Sequence, residues 1–422
     1  MEEVKLSPRQ IDDYIESAGA EAIAELKRLA APLRGIRVLH LNATPNGGGV
    51  AEILRSAVPL LRGLGLGATW QTLVAEPPFF TVTKTIHNAL QGADCGLTEG
   101  DQACYVDWQQ RNAERLARDF DVVVVHDPQP LGLLQAAGKG RQRWIWRLHI
   151  DSSRPNPAVW SVLRPYTAGY DAAVFTLEAF VPRGFPADLV RISPPAIDPL
   201  SPKNLPQPHA RALATLVRLG IDPGRPLIAQ VARFDPWKDP TGVIDAYRAV
   251  RQSVPGLQLA LLGVIEAQDD PQAIGMANEV RTHAAGDPDI HLYIDPKQVG
   301  PEEVAAVQQT AQVIFQKSLR EGFGLTVAEA LWKATPVIGG RTGGIPLQLA
   351  DGIGGFLVKT VDEAAERTRW LLDHPPEARQ IAVRGRDHVR ERFLITRLLA
   401  DELRLYADVM GLRSLDSFAA AD

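Results

Sequence analysis

Ile36-Arg37-Val38-Leu39-His40-Leu41-Asn42, then Gly47-Gly48-Gly49, then the run Val50 to Leu61 decide the fold. The first segment predicts a strand, the glycines a turn and the last run a helix. A strand, a glycine loop and a helix in that order open a doubly wound α/β sheet. Upstream, Ile11, Tyr14, Ile15 and Ala18, then Ile23, Leu26 and Leu29, recur at three- and four-residue steps, so the first 33 residues read as helical. Downstream, Trp70–Val74, Asp121–His126, Trp144–His149 and Ala172–Thr176 read as strands. The segment DVVVVH is apolar without alternation, as a strand buried on both faces must be.

The pattern restarts after Pro194–Pro199. The stretch Pro199 to Pro208, rich in proline, reads as an interdomain connection. Strands are expected again at Leu227–Ala232, Leu257–Leu262, His291–Ile294, Val313–Gln316 and Pro336–Ile338, with helices between them and a strong amphipathic helix at about Ile395 to Val409. Two successive βαβ series imply an α/β protein of two Rossmann-like doubly wound domains facing a central cleft. The boundaries are set at 1–205 and 206–394, and the helix of about 395–422 is a candidate to pack back onto the first domain.

The chain has 422 residues, the length of two ordinary domains, and its 45% apolar content suffices for full cores. A net charge of −5 offers no global attraction to nucleic acid or to an anionic membrane, so an anion site must be local. Cys95 and Cys104 are too few for a disulfide framework; they leave room for one bridge but suit two free thiols in a reducing cytoplasm better. The charged start MEEVKLSPRQ has no apolar signal core, and no apolar run is long enough to span a bilayer. A cytoplasmic location is therefore expected.

The chemistry is concentrated after the strand Leu227–Ala232, in Arg233-Phe234-Asp235-Pro236-Trp237-Lys238-Asp239. Two cations at the carboxyl end of a strand, ahead of a helix of about Pro240 to Val250, suit a diphosphate. They could stabilise charge on a leaving diphosphate without a metal. Further on stands Glu321-Gly322-Phe323-Gly324-Leu325, with Glu329 behind it on a helical run. These glycines let backbone approach a ligand, and the carboxylates can accept hydrogen bonds from sugar and ribose hydroxyls. Gly47-Gly48-Gly49 matches neither GxGxxG nor GxxxxGK[ST], so it is either a tight turn or a phosphate contact. His149, at a strand end, suits a sugar hydroxyl. Asp151, His126 and Asp127 lie at similar strand ends and suit acceptor hydroxyls, and His87-Asn88 is a polar pair in an amphipathic segment. No Asp-x-Asp signature for a metal-borne nucleotide-sugar stands at a suitable strand end, and Asp269-Asp270 reads as surface.

Gly47-Gly48-Gly49, His149, Arg233, Lys238 and the pair Glu321/Glu329 together resemble the retaining GT-B glycosyltransferases of the glycogen synthase/sucrose synthase clan, family GT4. The segments GGGVAEIL, FFTVTKTIHNALQG, VHDPQP, HIDSS, RFDPWKD and REGFGLTVAEA make the chain similar, within that clan, to the glycosyltransferring trehalose synthases. That resemblance implies reversible synthesis of α,α-trehalose from a nucleotide-diphosphate glucose (ADP-, UDP- or GDP-glucose) and free glucose, with retention. It implies that Arg233 and Lys238 hold the diphosphate, that Glu321 meets the donor hexose and Glu329 the ribose, and that Gly48, Gly49, Gly322, Phe323, Gly324 and Leu325 line the donor. His149 would bind the donor 6-hydroxyl, so the catalytic set is His149, Arg233, Lys238 and Glu321. His87, Asn88, Asp127 and Asp151 would form the acceptor side, in the first domain.

No cofactor is called for by these residues. A divalent cation such as Mg2+ stays open without a ligand motif, and a homodimer stays open as well. The partners expected are small sugars and nucleotide-sugars, with no nucleic acid and no membrane. The rival readings are a retaining trehalose phosphorylase, another transferase of the clan such as a sucrose-forming one, and a sugar-binding protein without turnover. The nucleotide base and the physiological direction are not written in these residues, nor is any carboxylate identifiable as a nucleophile.

Overall fold

A strand whose two faces are both covered by helices must be apolar at every position. Val122–His126 (β4) and Arg143–Leu148 (β5) come close to that condition: every residue is buried except Arg143 at the β5 entrance, and the buried polar exceptions are His126 and Arg147. The computed structural model describes residues 1–263 and 271–412, so Asp269-Asp270 lies outside the described residues.

In the first unit β4 and β5 are central strands of a seven-stranded sheet. Its other members are Glu2–Glu3 (β1), Arg37–Asn42 (β2), Gly67–Thr72 (β3), Ala172–Phe175 (β6) and Val190–Ile192 (β7), and the order is β1-β3-β2-β4-β5-β6-β7. All pairs are parallel except β1 on β3. Trp144 and Trp146 lie one pleat apart on the same face of β5. Trp144 meets Tyr170 edge to face, and Trp146 meets Phe175 the same way. The second unit repeats the plan with Leu227–Val231 (β8), Gln258–Leu262 (β9), Ile290–Tyr293 (β10), Val313–Gln316 (β11), Val337–Gly340 (β12), Ala350–Asp351 (β13) and Gly354–Val358 (β14). These form an all-parallel sheet of order β10-β9-β8-β11-β12-β14-β13.

Both sheets reverse direction of winding beside their first parallel strand. In the first unit the reversal falls between β2 and β4, in the second between β8 and β11. Connecting helices go to opposite faces at that point, which leaves a crevice above the carboxyl ends of the two strands.

The two units divide at Ala196 and Ile197, not at residue 205, and the chain rejoins the first at Ile395. The helix Ile395–Val409 packs against the helices Ala20–Ala30 and Gly49–Gly63. It buries Ile395, Leu398, Leu399, Leu403 and Tyr406. Arg397 fixes its start, donating to the carbonyls of Pro194 at 2.7 Å and Pro195 at 3.1 Å. The proline-rich stretch from 199 to 208 is part of the second unit. Asn204 is buried there and donates to the Asp198 carbonyl at 2.9 Å.

The structure corrects several element boundaries. Residues 1–10 are not helical; the chain enters through β1, and helix begins only after the 3-10 turn Ile11–Tyr14. The strand expected at Trp70–Val74 starts earlier, at Gly67, because its register follows β2 from Arg37 onward. β7 and β14 were not expected. β14 begins with two glycines, which carry no strand signal, and it is defined by its pairing with β12.

One buried hydrogen bond carries the first strand into its loop. Trp70 Nε1 donates to Asn42 Oδ1 at 2.7 Å, and Asn42 Nδ2 donates to the Thr44 carbonyl at 2.8 Å. Replacing Trp70 by Phe keeps the apolar volume of the six-membered ring but strands a buried acceptor. The variant should lose about 1–3 kcal/mol of stability in urea titration; an unchanged midpoint would show that the amide finds another donor.

Candidate functional site

The second unit places Lys238 and Glu321 at its switch point. β8 ends at Val231, and the loop passes Arg233 into the 3-10 turn Pro236–Lys238. Asp235 caps that turn through the Trp237 amide at 2.9 Å. Asp239 follows in the left-handed region, at φ 50°, and its carboxylate accepts from Gly242 to cap the helix Pro240–Arg251. Proline at the first helical position suits that entry. Lys317, at the end of β11, pairs with Asp239, which ties the cation loop to the neighbouring strand.

Glu321 is buried, and three donors converge on its Oε2. Lys238 Nζ stands at 2.5 Å, Gln316 Nε2 at 2.9 Å and Ser318 Oγ at 3.1 Å. Burial pushes this carboxyl up, but the Lys238 charge and the three hydrogen bonds outweigh it and hold Glu321 below the ordinary glutamate range. Its other oxygen, Oε1, has no protein partner among the described residues and is the side open to a hydroxyl. Lys238 keeps two further N–H donors beyond the one spent on Glu321. Arg233 is exposed, and its guanidinium lies 3.7 Å from the Asp235 carboxylate.

Gly324 stands in the left-handed region, at φ 82°, as the N-cap of the helix Leu325–Trp332, which begins without a side-chain cap. Gly322 and Leu325 are half-buried on either side of it. Phe323 turns inward against Phe393, with ring centroids 5.4 Å apart, so only its backbone faces the loop. Behind this loop, Gly343 is at φ 55°, and a Cβ there would sit 1.8 Å from the Glu321 carbonyl. Glycine at 343 is thus what lets the two loops touch.

Glu329 is buried on the same helix. Lys203 Nζ reaches its Oε1 at 2.6 Å and Gln308 Nε2 its Oε2 at 3.4 Å. Lys333 lies beside it, donating to Asn204, to Gln308 and to the Glu329 carbonyl. Burial pushes the Lys333 ammonium down to about 7, while burial of Glu329 is outweighed by Lys203 and Lys333, so the carboxylate stays low. Both Glu329 oxygens are therefore already engaged by protein groups.

In the first unit, the loop before the helix Gly49–Gly63 carries Gly47 at φ 75° and Gly48 at φ 84°. Arg55, on that helix, reaches back to hold it, donating to the Pro45 carbonyl at 2.8 Å and to Asn46 Oδ1 at 2.5 Å. Asp127, at the end of β4, is also left-handed, at φ 65°, and its Oδ1 accepts from the His149 amide at 2.9 Å. Burial raises Asp127 to about 7, tempered by that amide and by Arg147. Asp151 is half-buried and caps a turn through the Ser153 amide at 2.9 Å. His87 and Asn88 are half-buried near the end of the helix Pro77–Leu90, where the Asn88 carbonyl accepts from Gln91 and Ala93.

His149 is not isolated. Its Nε2 lies 3.0 Å from His126 Nδ1, and His126 Nε2 lies 3.0 Å from His40 Nδ1. The rings stack in series with centroids 5.3 Å apart at both steps. Burial pushes all three down, His40 to about 3, so all are neutral at physiological pH. Sequence reasoning passed over His40 and gave His126 only a loose acceptor role. The missed signal was a histidine near the carboxyl end of each of three strands, β2, β4 and β5, that prove adjacent. Lys203, Gln316, Ser318, Lys317 and the Gly343 loop were missed likewise. Among the described residues, no cluster of three or more His, Cys, Asp or Glu side chains is placed to hold a metal ion. Both cysteines are free thiols. No described helix is long and apolar enough to cross a membrane.

Two family models match the chain: "Trehalose synthase, N-terminal domain" over residues 40–182, and "Glycosyl transferases group 1" over residues 215–388. A trehalose synthase of Rubrobacter xylanophilus is 48% identical over 97% of this chain and 100% of that one. A trehalose phosphorylase of Grifola frondosa is 30% identical over 86% of this chain but only 55% of its own length. Among solved structures, a UDP-forming α,α-trehalose-phosphate synthase of Burkholderia xenovorans in complex with glucose-6-phosphate aligns with a TM-score of 0.70. It covers 89% of this chain and 100% of that one at 17% identity, a likeness of fold, GT-B.

The Lys238–Glu321 pair sets a pH signature. Because Glu321 is held low, the pair's stabilisation is fully present above the ordinary glutamate range. It is lost as pH falls through the depressed value. Lys238→Met should cost up to about 3–5 kcal/mol at neutral pH, the scale for stranding one member of a buried pair. The gap from wild type should shrink as pH drops below the ordinary glutamate range. A gap that stayed constant in acid would show that Lys238 stabilises the loop without Glu321.

Proposed function

The chain belongs to the family of trehalose synthases, and from that premise we propose that it makes α,α-trehalose by reversible transfer of glucose, with retention, from a nucleotide-diphosphate glucose to free glucose. That it is a glycosyltransferase follows from the family. The choice of donor and acceptor rests on the site. The observation that carries it is the placement of Lys238 and Glu321 at the switch point of the second unit, with Arg233 on the same loop.

A diphosphate leaving group builds negative charge as the glycosidic bond breaks. Arg233 and the two remaining donors of Lys238 supply fixed positive charge to meet it, and the uncapped helix start at Leu325 adds its positive end. In this reading the protein's own cations do this work and no resident metal is assigned. Glu321 Oε1 accepts a hexose hydroxyl, while Oε2 stays bound to Lys238, Gln316 and Ser318. Glu329 exchanges part of its contact with Lys203 or Gln308 for the ribose. His149 takes a donor hydroxyl, with Gly48 and Gly49 allowing backbone to approach. Free glucose, neutral and rich in hydroxyls, needs groups that both donate and accept, and Asp127, Asp151, His87 and Asn88 supply that mix. Free Cys95 and Cys104 fit a reducing cytoplasm.

The deciding assay is trehalose cleavage with ADP, UDP or GDP against cleavage with inorganic phosphate. Nucleotide-dependent release of NDP-glucose supports the transferase; cleavage driven by phosphate alone would replace it with a phosphorylase. Arg233→Ala should lower turnover by ~10²–10³ with little change in stability, the scale of losing one preorganised charge stabiliser. Near-normal turnover would remove Arg233 from the diphosphate site. Asp151→Ala should raise the KM for glucose and leave NDP affinity nearly unchanged; weakened NDP binding with an intact glucose KM would place Asp151 on the donor side.

A further inference from the structure

The histidine stack continues past His40. Tyr406 Oη lies 3.4 Å from His40 Nε2 and donates to Glu402 Oε2 at 3.4 Å, and Glu402 Oε1 faces Arg147 at 3.5 Å. Every member from His126 to Arg147 is buried. Tyr406 and Glu402 sit one turn apart on the helix Ile395–Val409, so this helix supplies the far end of a chain whose near end is His149.

A neutral imidazole has one N–H and one lone pair, so hydrogen bonds in series must all point the same way. The far end sets the direction. Arg147 is a buried guanidinium that also donates to the Ser193 carbonyl at 3.2 Å, a group that carries no charge. Burial pushes the Glu402 carboxyl above the ordinary glutamate range, opposed by Arg147, by the Tyr406 hydroxyl and by Arg397; as the group that faces the buried guanidinium, Glu402 is its counter-ion. A carboxylate only accepts, so the Tyr406 hydroxyl spends its proton on Glu402 and its oxygen must accept from His40 Nε2–H. His40 Nδ1 is then a lone pair that accepts from His126 Nε2–H, and His126 Nδ1 accepts from His149 Nε2–H. His149 Nδ1 is left bare, and it has no protein partner among the described residues.

We propose that Tyr406 and Glu402, acting through His40 and His126, are positioning residues that hold His149 in the tautomer with a proton on Nε2 and a lone pair on Nδ1, so that it receives a proton-donating hydroxyl of the sugar. This rests on His149 meeting the donor sugar, as in the function proposed above. Glycine loops and cations recognise a phosphate; a bare imidazole nitrogen recognises a hydroxyl by the hydrogen it donates. A sugar lacking that hydroxyl, or carrying a methyl ether in its place, has nothing to give it.

The test uses the full chain labelled with 15N-histidine, without substrate, so that it stands apart from the identity of the reaction. The nitrogen shifts of His149, assigned by loss of its signals in His149→Gln, should show a bare Nδ1 and a protonated Nε2. Tyr406→Phe keeps the buried ring but removes the acceptor at the far end. Its His149 signals should become a mixture of both tautomers while circular dichroism stays that of the wild type. Turnover with NDP-glucose and glucose should fall roughly tenfold with the donor KM within about twofold, the scale of one misdirected hydrogen bond. If Tyr406→Phe unfolds, Glu402→Gln answers the same question through the same signals. A proton on His149 Nδ1 in the wild type, or unchanged His149 signals in a folded Tyr406→Phe, would overturn the proposal. Correct signals in a protein that transfers no glucose would instead overturn the function and leave the chain of hydrogen bonds standing.

Discussion

A sheet that winds outward in one direction from a central strand, and then in the other, cannot cover the ends of its two middle strands. That gap is the constraint on which the sites depend. In the second unit the middle strands are β8 and β11, and what emerges from them is Lys238 on one side and Glu321 on the other. In the first unit they are β2 and β4, and what emerges is the Gly47–Gly49 loop and Asp127, with His40 and His126 stacked just below. The polar groups are expensive to hold there. Glu321 is tolerated because three donors meet one of its oxygens, and Arg147 because Glu402 faces it. Each arrangement leaves one atom without a protein partner among the described residues, Glu321 Oε1 and His149 Nδ1.

Much of this was legible in the residue order, for a physical reason. Strands buried on both faces are nearly all apolar, so β4, β5, β8 and β11 announce themselves without reference to anything else. β14 does not, because Gly354-Gly355 opens it and only the partner β12 makes it a strand. β1, two residues long, is visible only through its pairing with β3. Proline density misled at Pro199–Pro208: proline stiffens a segment, and here the stiffened segment packs within the second unit and carries Lys203 to Glu329.

The site divides the same way. Arg233 and Lys238 are local in sequence, as are Glu321 and Glu329, and their spacing along one loop and one helix, with the family resemblance, made them the candidates. The histidine stack is not local. His40 and His126 meet only because β2 and β4 are neighbours in a particular register, and Tyr406 meets His40 only because a distant helix packs over the sheet. No periodicity encodes such contacts. The burial of Glu329, the inward turn of Phe323 and the close approach at Gly343 belong to the same class, set by what lies opposite in space.

The return of the chain to its first unit also orders events in time. A ribosome delivers β2 long before it delivers Ile395–Val409, and everything in the second unit comes between. Until then the helices Ala20–Ala30 and Gly49–Gly63 stand without the helix that packs against them, and Arg147 stands without its counter-charge. The second unit is one continuous stretch from Ile197 to Leu394. Synthesis therefore favours maturation out of order, with the later unit able to finish while the earlier one waits. A nascent chain halted before Tyr406 would hold a finished second unit and an unfinished first, its sticky surface a natural target for chaperones.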